Sequence, residues 1–308
     1  MARVLLTGAA GFLGSAVAAA LLQRRDTVIA LVRDRDPSSR LYRDGLINDC
    51  IEVRDELASA ERILAEYAPD AIVHLAAQTQ VTVASAAPLS TFESNIRGTW
   101  RLLEAVRLAS TCPARIVVAS SDKAYGTTPP PYTEMDPLRP LAPYDVSKAC
   151  TDLIAQSYGQ HFNLPLAITR CGNIYGPGDL NMLRLVPGVC RDLLAGRPPQ
   201  LRSSGRMTRE WLYIDDAAAA TLAVLDAAPA HRGAAFNLGG GQRSSVAAVV
   251  SALCALAGYT GPVPFTETDP EDEIPHQSLN IDRISALGWS AQTRLSYGLE
   301  ASWRWYAG

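Results

Sequence analysis

Tyr144 and Lys148 stand four residues apart, so on a helix they share one face. A phenol with an ordinary pKa of about 10 is a poor base at neutral pH. A neighbouring ammonium favours the phenolate and makes it able to take a proton. Upstream, Ser121, Asp122 and Lys123 are consecutive. An acid and an amine side by side can protonate a departing hydroxyl and remove a carbon-bound proton, which is what an elimination needs. The bland reading of the same pair is a surface ion pair of little consequence. Nearer the start, Val4-Leu5-Leu6-Thr7-Gly8-Ala9-Ala10-Gly11-Phe12-Leu13-Gly14 reads as a strand, a glycine turn and a helix start. Gly8 permits the tight turn, Gly11 lets backbone approach a pyrophosphate, and Gly14 lets the helix pack on the strand. Phe12 and Leu13 open the helix, whose free N–H groups attract phosphate. The segment therefore predicts a dinucleotide site, with a structural glycine turn as the alternative.

These groups need a frame that brings them together. Short apolar runs at Arg3–Thr7, Thr27–Val32, Ala71–Leu75, Arg115–Ser120 and Leu166–Arg170 alternate with helical spacing at Phe12–Gln23, Ala58–Tyr67, Leu89–Leu108 and Tyr144–Phe162. That alternation predicts an α/β fold, a doubly wound parallel sheet of the Rossmann type, in which chemistry sits at the carboxyl ends of the strands. Residues 127–143 form a Pro-rich loop long enough to be functional. After Gly176 the pattern loosens, with further helices expected after Asp215, at Ser245–Ala257 and at Gly298–Tyr306. Residues 1–175 are expected to form the dinucleotide-binding domain. Residues 176–308 are expected to form a smaller mixed substrate lobe, with some exchange of strands and helices between the two.

The second strand ends at Val32, followed by Arg33 and Asp34. An Arg at that tip can pair with a 2′-phosphate, whereas an acid there serves the ribose of NAD. By this register the cofactor is NAD or NADP, with NADP favoured by Arg33.

The GxxGxxG turn, with Tyr-x-x-x-Lys after a Pro-rich loop, resembles the extended short-chain dehydrogenase/reductase superfamily, the NAD-dependent epimerase/dehydratase family, nearly end to end. The resemblance implies that Asp55, beside Glu56, contacts adenine and that Leu75-Ala76-Ala77-Gln78 lines the cofactor. It makes Asn95 a structural support and Ser121 the hydroxyl that holds the sugar 4-oxygen. In relatives the two positions after that Ser or Thr divide the reactions. Sugar 4-epimerases usually carry small residues there. Nucleotide-sugar 4,6-dehydratases carry an acid and a second ionisable group, and Asp122-Lys123 looks most like the CDP-glucose type. Arg170-Cys171-Gly172-Asn173-Ile174-Tyr175-Gly176-Pro177 matches RxxNxYGP, which places Asn173 on the sugar diphosphate. Gly205 to Asp216 matches G-x-x-x-R-D-F-x-Y-V-x-D with Glu210 for Asp and Trp211 for Phe, and Arg209 would pair with the diphosphate. Arg184, Arg202 and Arg206 add local positive charge. Ala286-Leu287-Gly288-Trp289 matches the usual LGW. One departure stands out: the Arg-Pro-Gly-Asp of many relatives is replaced by Asp269-Pro270-Glu271-Asp272-Glu273.

The expected activity is thus an NAD(P)-dependent nucleotide-sugar 4,6-dehydratase, a lyase. A 4-epimerase, a 4-keto-sugar reductase and a non-catalytic cofactor-binding regulator are the alternatives. The resemblance also implies a homodimer through the helices at 89–108 and 144–162. A net charge of −3 argues against nucleic acid and anionic membrane as partners. No apolar run reaches the roughly 20 residues of a membrane span, and the first residues read as strand and turn rather than signal peptide. Six scattered cysteines and four scattered histidines predict buried thiols in a reducing, cytoplasmic setting and no metal.

Overall fold

In the computed structural model, residues 1–55, 59–269 and 276–308 are described. Seven strands form one parallel sheet in the order β3-β2-β1-β4-β5-β6-β9. They are β1 (Arg3–Thr7), β2 (Thr27–Val32), β3 (Ile51–Arg54), β4 (Ala71–His74), β5 (Arg115–Ala119), β6 (Leu166–Cys171) and β9 (Ala235–Leu238). A small second sheet runs β10-β8-β7, from β7 (Asn173–Tyr175), β8 (Thr208–Tyr213) and β10 (Arg243–Ser245). The strand order reverses between β1 and β4, and ligands of such sheets bind at that switch point.

Residue size sorts the two faces of the large sheet. Alternate residues Val4, Leu6, Val28, Ala30, Ala71, Val73, Val117 and Ala167 share one core with the Ala-rich helices Phe12–Gln23 and Ile214–Ala227. Small side chains let those two helices approach the strands closely. Leu5, Ile29, Ile72, Ile116, Val118 and Ile168 point to the other face, toward helices Ala60–Tyr67, Gly98–Leu108 and Pro143–Gln160. Period-two burial on both faces is what a covered parallel sheet requires.

Two features differ from the sequence reading. The expected helix at 89–108 is built as Pro88–Phe92, a widened turn at Glu93–Arg97, and Gly98–Leu108. There the Asn95 carbonyl accepts from the hydroxyls of Thr99 (2.7 Å), one turn on, and Thr151 (3.1 Å), on helix Pro143–Gln160, which loosens the regular backbone ladder. Second, the sequence reading does not include β3 or the strands of the small sheet: β3, β7 and β10 have only three or four residues, and β8 carries Arg209 and Glu210 within its apolar run. Chain order and lobe order cross. β7 precedes residue 176 but sits in the small sheet, while β9 closes the large one. No helix among the described residues is long and apolar enough to cross a membrane.

Candidate active site

The β1 turn is built for backbone, not side chains. Gly8 has φ +70°, and a Cβ there would sit 2.8 Å from the Ala76 nitrogen. A Cβ on Gly14 would meet the Gly8 carbonyl oxygen at 2.1 Å. The Gly11 N–H donates to Gly8 O at 2.9 Å, and the helix begins at Phe12 with no side-chain cap. Gly8, Gly11, Phe12, Leu13 and Gly14 therefore line a cleft with the free N–H end of a helix facing into it. The cleft has a volume of about 1780 Å³ and runs from β2 across the carboxyl ends of β1, β4, β5 and β6 to β8.

A buried polar chain ties this turn to the middle of the sheet. The Thr7 hydroxyl pairs with His74 Nδ1 at 2.8 Å and accepts from the Leu75 and Ala76 N–H groups at 3.2 and 3.1 Å. His74 Nε2 pairs with Thr99 Oγ1 at 3.1 Å, and the Thr99 hydroxyl donates to Asn95 O. Thr99 thus accepts from Nε2–H, which leaves Nδ1 as acceptor for Thr7. Burial pushes His74 down to about 3, so the ring is neutral. Asn95 continues the chain, donating to Gln78 O (3.0 Å) and Ser147 Oγ (2.9 Å) and accepting from Gln78 N (2.7 Å). Ser147 in turn donates to Tyr144 O at 2.7 Å. Neither His74 nor Ser147 carried a signal in the sequence for this bridging position.

Leu75, Ala76 and Ala77 line the cleft, whereas the backbone of Gln78 is clamped by Asn95 and its side-chain nitrogen donates to Gln80 O at 3.0 Å. At the β2 tip Arg33, Asp34 and Asp55 also line it. Arg33 Nε donates to Asp34 at 2.6 Å, and Asp55 pairs with Arg62 at 3.1 Å. Glu56 lies outside the described residues.

The catalytic candidates converge where β5 ends. Ser121, Asp122, Lys123, Tyr144 and Lys148 all line the same cleft. Ser121 caps a short turn of helix, accepting from Lys123 N at 3.2 Å and donating to Asp122 Oδ1 at 3.1 Å. Asp122 is buried, and desolvation raises its pKa more than the Lys123 charge lowers it. Its carboxyl therefore keeps a proton to higher pH than an ordinary Asp. Burial also pushes the Tyr144 phenol up to about 12, against the pull of the Arg184 charge and a hydrogen bond with Ser121. Lys148 is buried one turn on, with Nζ donating to Ala119 O at 2.9 Å, and burial brings it down to about 8. Arg184 thus supplies the leading positive field on the phenol in the protein itself.

On the far wall, Asn173, Arg184, Arg202 and Arg209 line the cleft. Arg184 pairs with Asp179 at 3.1 Å and lies 6.0 Å over the Phe12 ring, so it spans the glycine turn and the substrate side. Arg209 is buried in β8 and donates to Thr208 O at 3.0 Å. Arg206 is exposed near Asp269, whose carboxylate accepts from Ser204 N (2.7 Å) and Oγ (2.8 Å). The rest of the acidic stretch that departs from the relatives, Pro270 to Glu273, falls outside the described residues.

Comparison with known proteins fits this geometry. A family model described as the NAD dependent epimerase/dehydratase family matches residues 4–239. The dTDP-glucose 4,6-dehydratase of Neisseria meningitidis serogroup B is 29% identical, over 99% of this chain and 93% of that one. A crystal structure of a dTDP-glucose 4,6-dehydratase from Streptomyces venezuelae with NAD bound has a TM-score of 0.87 at 31% identity, covering 99% of this chain and 96% of that one. A UDP-glucuronic acid 4-epimerase from Bacillus cereus, in complex with UDP-glucuronic acid and NAD, has a TM-score of 0.88 at 26% identity, covering 99% and 98%. A glycine turn that admits only backbone, an acid–amine pair on Ser121 and a Tyr–Lys helix face thus share one cleft, in a chain that belongs to the NAD dependent epimerase/dehydratase family.

Proposed function

We propose that the chain is a nucleotide-sugar 4,6-dehydratase, a lyase that removes water across C5 and C6 of a nucleotide-linked hexose. The observation that carries this is the placement of Asp122 and Lys123 beside Ser121 and Tyr144 in the cleft that the glycine turn opens. Gly8, Gly11, Phe12, Leu13 and Gly14 would hold the cofactor pyrophosphate, with Leu75, Ala76, Ala77 and Lys148 along its length. A nicotinamide ring held there would supply a reversible hydride sink for the hydrogen exchanged between C4 and C6, so it would not be consumed.

Tyr144 takes the proton of the C4 hydroxyl while Ser121 holds that oxygen. The phenol needs cationic neighbours to ionise, and Arg184 and Lys148 supply them from the protein. A ketone at C4 makes the C5 proton acidic, and Lys123 removes it. Asp122, whose carboxyl burial holds protonated to higher pH than an ordinary Asp, gives its proton to the C6 hydroxyl, which leaves as water. Arg209 and Asn173 hold the diphosphate. The matched dehydratases are named for dTDP-glucose, and the Asp-Lys pair resembles the CDP-glucose type, so both sugar nucleotides belong in the assay.

Epimerisation is the second reading, favoured by the Bacillus cereus neighbour, and it needs neither Asp122 nor Lys123. Incubation with CDP-, dTDP-, UDP- and GDP-hexoses followed by mass spectrometry separates the two. Loss of one water without net cofactor consumption supports dehydration. Unchanged mass with inverted stereochemistry at C4 supports epimerisation, and a gain of two hydrogens supports a reductase. For the cofactor, Arg33 supports NADP, although a 2′-phosphate would have to draw its guanidinium from Asp34. Titration with NAD and NADP settles which dinucleotide binds more tightly. The exposed Trp100, Leu153 and Leu89 on the two long helical segments support a homodimer, which sedimentation at several concentrations tests.

A further inference from the structure

Beside the sugar side of the cleft lies a narrow open crevice lined by Asp122, Gly172, Asn173, Glu210, Gln277, Ser278 and Leu279. Asp122, Gly172 and Asn173 line both spaces, so the crevice is a side branch of the main cleft. The strand-like segment carrying Gln277 is held rigidly. Gln277 N donates to Thr208 O at 3.3 Å and Leu279 N to Glu210 Oε2 at 3.3 Å, which lays the segment along β8. On its other side Tyr132 N donates to Ser278 O at 2.9 Å and Asn280 N to Tyr132 O at 2.8 Å.

Gln277 is only 3% exposed, and its side-chain Nε2 has no hydrogen-bond partner among the described residues. Its Oε1 accepts from Asn173 Nδ2 at 3.4 Å, which turns the oxygen toward the cleft wall and leaves the amide N–H groups unspent. The Tyr132 hydroxyl, on the residue that hydrogen-bonds the same segment, is another buried group with no hydrogen-bond partner among the described residues. Buried amide donors are almost always satisfied, because leaving one unpaired costs the full loss of its hydration. A donor held by a rigid backbone, on a side chain hydrogen-bonded to an expected substrate residue and bordering Asp122, therefore lacks an acceptor among the described residues.

We infer that Gln277 is a substrate-binding residue whose carboxamide nitrogen donates to a hydroxyl of the hexose. The inference rests on the dehydratase reading and deepens it. In that reading the 4-oxygen belongs to Ser121 and Tyr144 and the 6-hydroxyl to Asp122. The hydroxyl left for Gln277 is that at C2 or C3. Gln277 thereby makes the C-terminal segment part of the sugar pocket, and it senses the sugar and not the nucleotide.

The test compares Gln277→Leu, which removes the donor at similar volume, with Gln277→Glu, which keeps the acceptor and removes the donor. Affinities are measured for dTDP-glucose and CDP-glucose, for dTDP and CDP alone, and for the 2-deoxy and 3-deoxy hexose analogues. NAD binding and thermal stability report the fold. For whichever sugar nucleotide the wild type binds, each variant is expected to lose about three- to tenfold in affinity. Affinity for the free nucleoside diphosphate stays unchanged. One deoxy analogue costs the wild type the same factor and costs the Leu variant nothing further. If Gln277→Leu fails to bind NAD, Gln277→Glu carries the test alone. Wild-type affinity in a folded variant, or an equal loss for the nucleoside diphosphate, overturns the assignment. The mass of the wild-type product is read separately. An unchanged mass defeats the dehydratase reaction, while the ratio of sugar-nucleotide to nucleoside-diphosphate affinities still decides whether Gln277 touches the sugar.

Discussion

Replacing Lys148 with Met should make the protein more stable while removing its activity. Lys148 is 5% exposed, and its one hydrogen bond given by the fold runs from Nζ to Ala119 O at 2.9 Å. Burial brings the ammonium from 10.5 to about 8, which at about 1.4 kcal/mol per pKa unit costs roughly 3 kcal/mol at neutral pH. Met keeps the length of the stem and carries no charge. It forfeits the hydrogen bond, worth about 1 kcal/mol, so the net gain is about 2 kcal/mol. The sign follows from proton counting. Between pH 8 and 10.5 the unfolded chain binds the extra proton, so wild-type stability rises with pH across that window. The penalty is complete below pH 8 and gone above 10.5. Denaturant unfolding of cofactor-stripped protein should therefore show the Met variant ahead by about 2 kcal/mol at pH 7 and behind by about 1 kcal/mol above pH 10.5, where only the lost hydrogen bond remains. Turnover should fall at least about a hundredfold, as for loss of a group that supports acid–base catalysis. A Met variant less stable than wild type at pH 7, or a gap that ignores pH, would refute the reasoning.

Asp122→Asn should retain sugar-nucleotide binding and lose dehydration about a hundredfold or more, measured as water loss by mass spectrometry. Because burial raises the Asp122 pKa, its ionised form burdens the folded state at pH 7. The Asn variant should thus melt higher at pH 7, with the advantage shrinking as pH falls toward 4. Gly14→Ala places a Cβ against the Gly8 carbonyl oxygen at 2.1 Å, so the turn must open. NAD affinity should fall about tenfold or more by fluorescence titration, with a clear loss of melting temperature. His74→Phe removes the link between Thr7 and Thr99 and leaves the Thr7 hydroxyl proton without its acceptor, for a loss of about 2 kcal/mol in denaturant unfolding.

What the sequence made legible was whatever is encoded by spacing along the chain. Gly8, Gly11 and Gly14 act through a local turn, and Tyr144 and Lys148 through one turn of helix. Their placement at strand ends followed from the alternation of strands and helices. What it hid depends on contacts between distant segments. The chain from Thr7 through His74 and Thr99 to Asn95 and Ser147 joins five elements, and no one of them announces it. The widened turn at Glu93–Arg97 arises because Thr151, more than fifty residues on, captures the Asn95 carbonyl. β3 was missed because Ile-Glu-Val-Arg lies at the sheet edge, where half its residues face solvent. Gln277 lies in a stretch of weak pattern and gains its meaning only where β8 and the Tyr132 loop enclose it. The Arg184 field on Tyr144 is likewise a tertiary fact, since helix spacing pointed to Lys148 alone.

The central claim is that hydrogen leaves C4 of a hexose, stays within the cleft, and returns at C6 of the same molecule as water departs. The most direct measurement supplies dTDP-glucose and CDP-glucose deuterated at C4 and locates the label in the product by NMR. The account predicts a 4-keto-6-deoxy sugar with the deuterium in its C6 methyl group and catalytic rather than stoichiometric use of the dinucleotide. Deuterium recovered at C4 of a sugar of unchanged mass would contradict it.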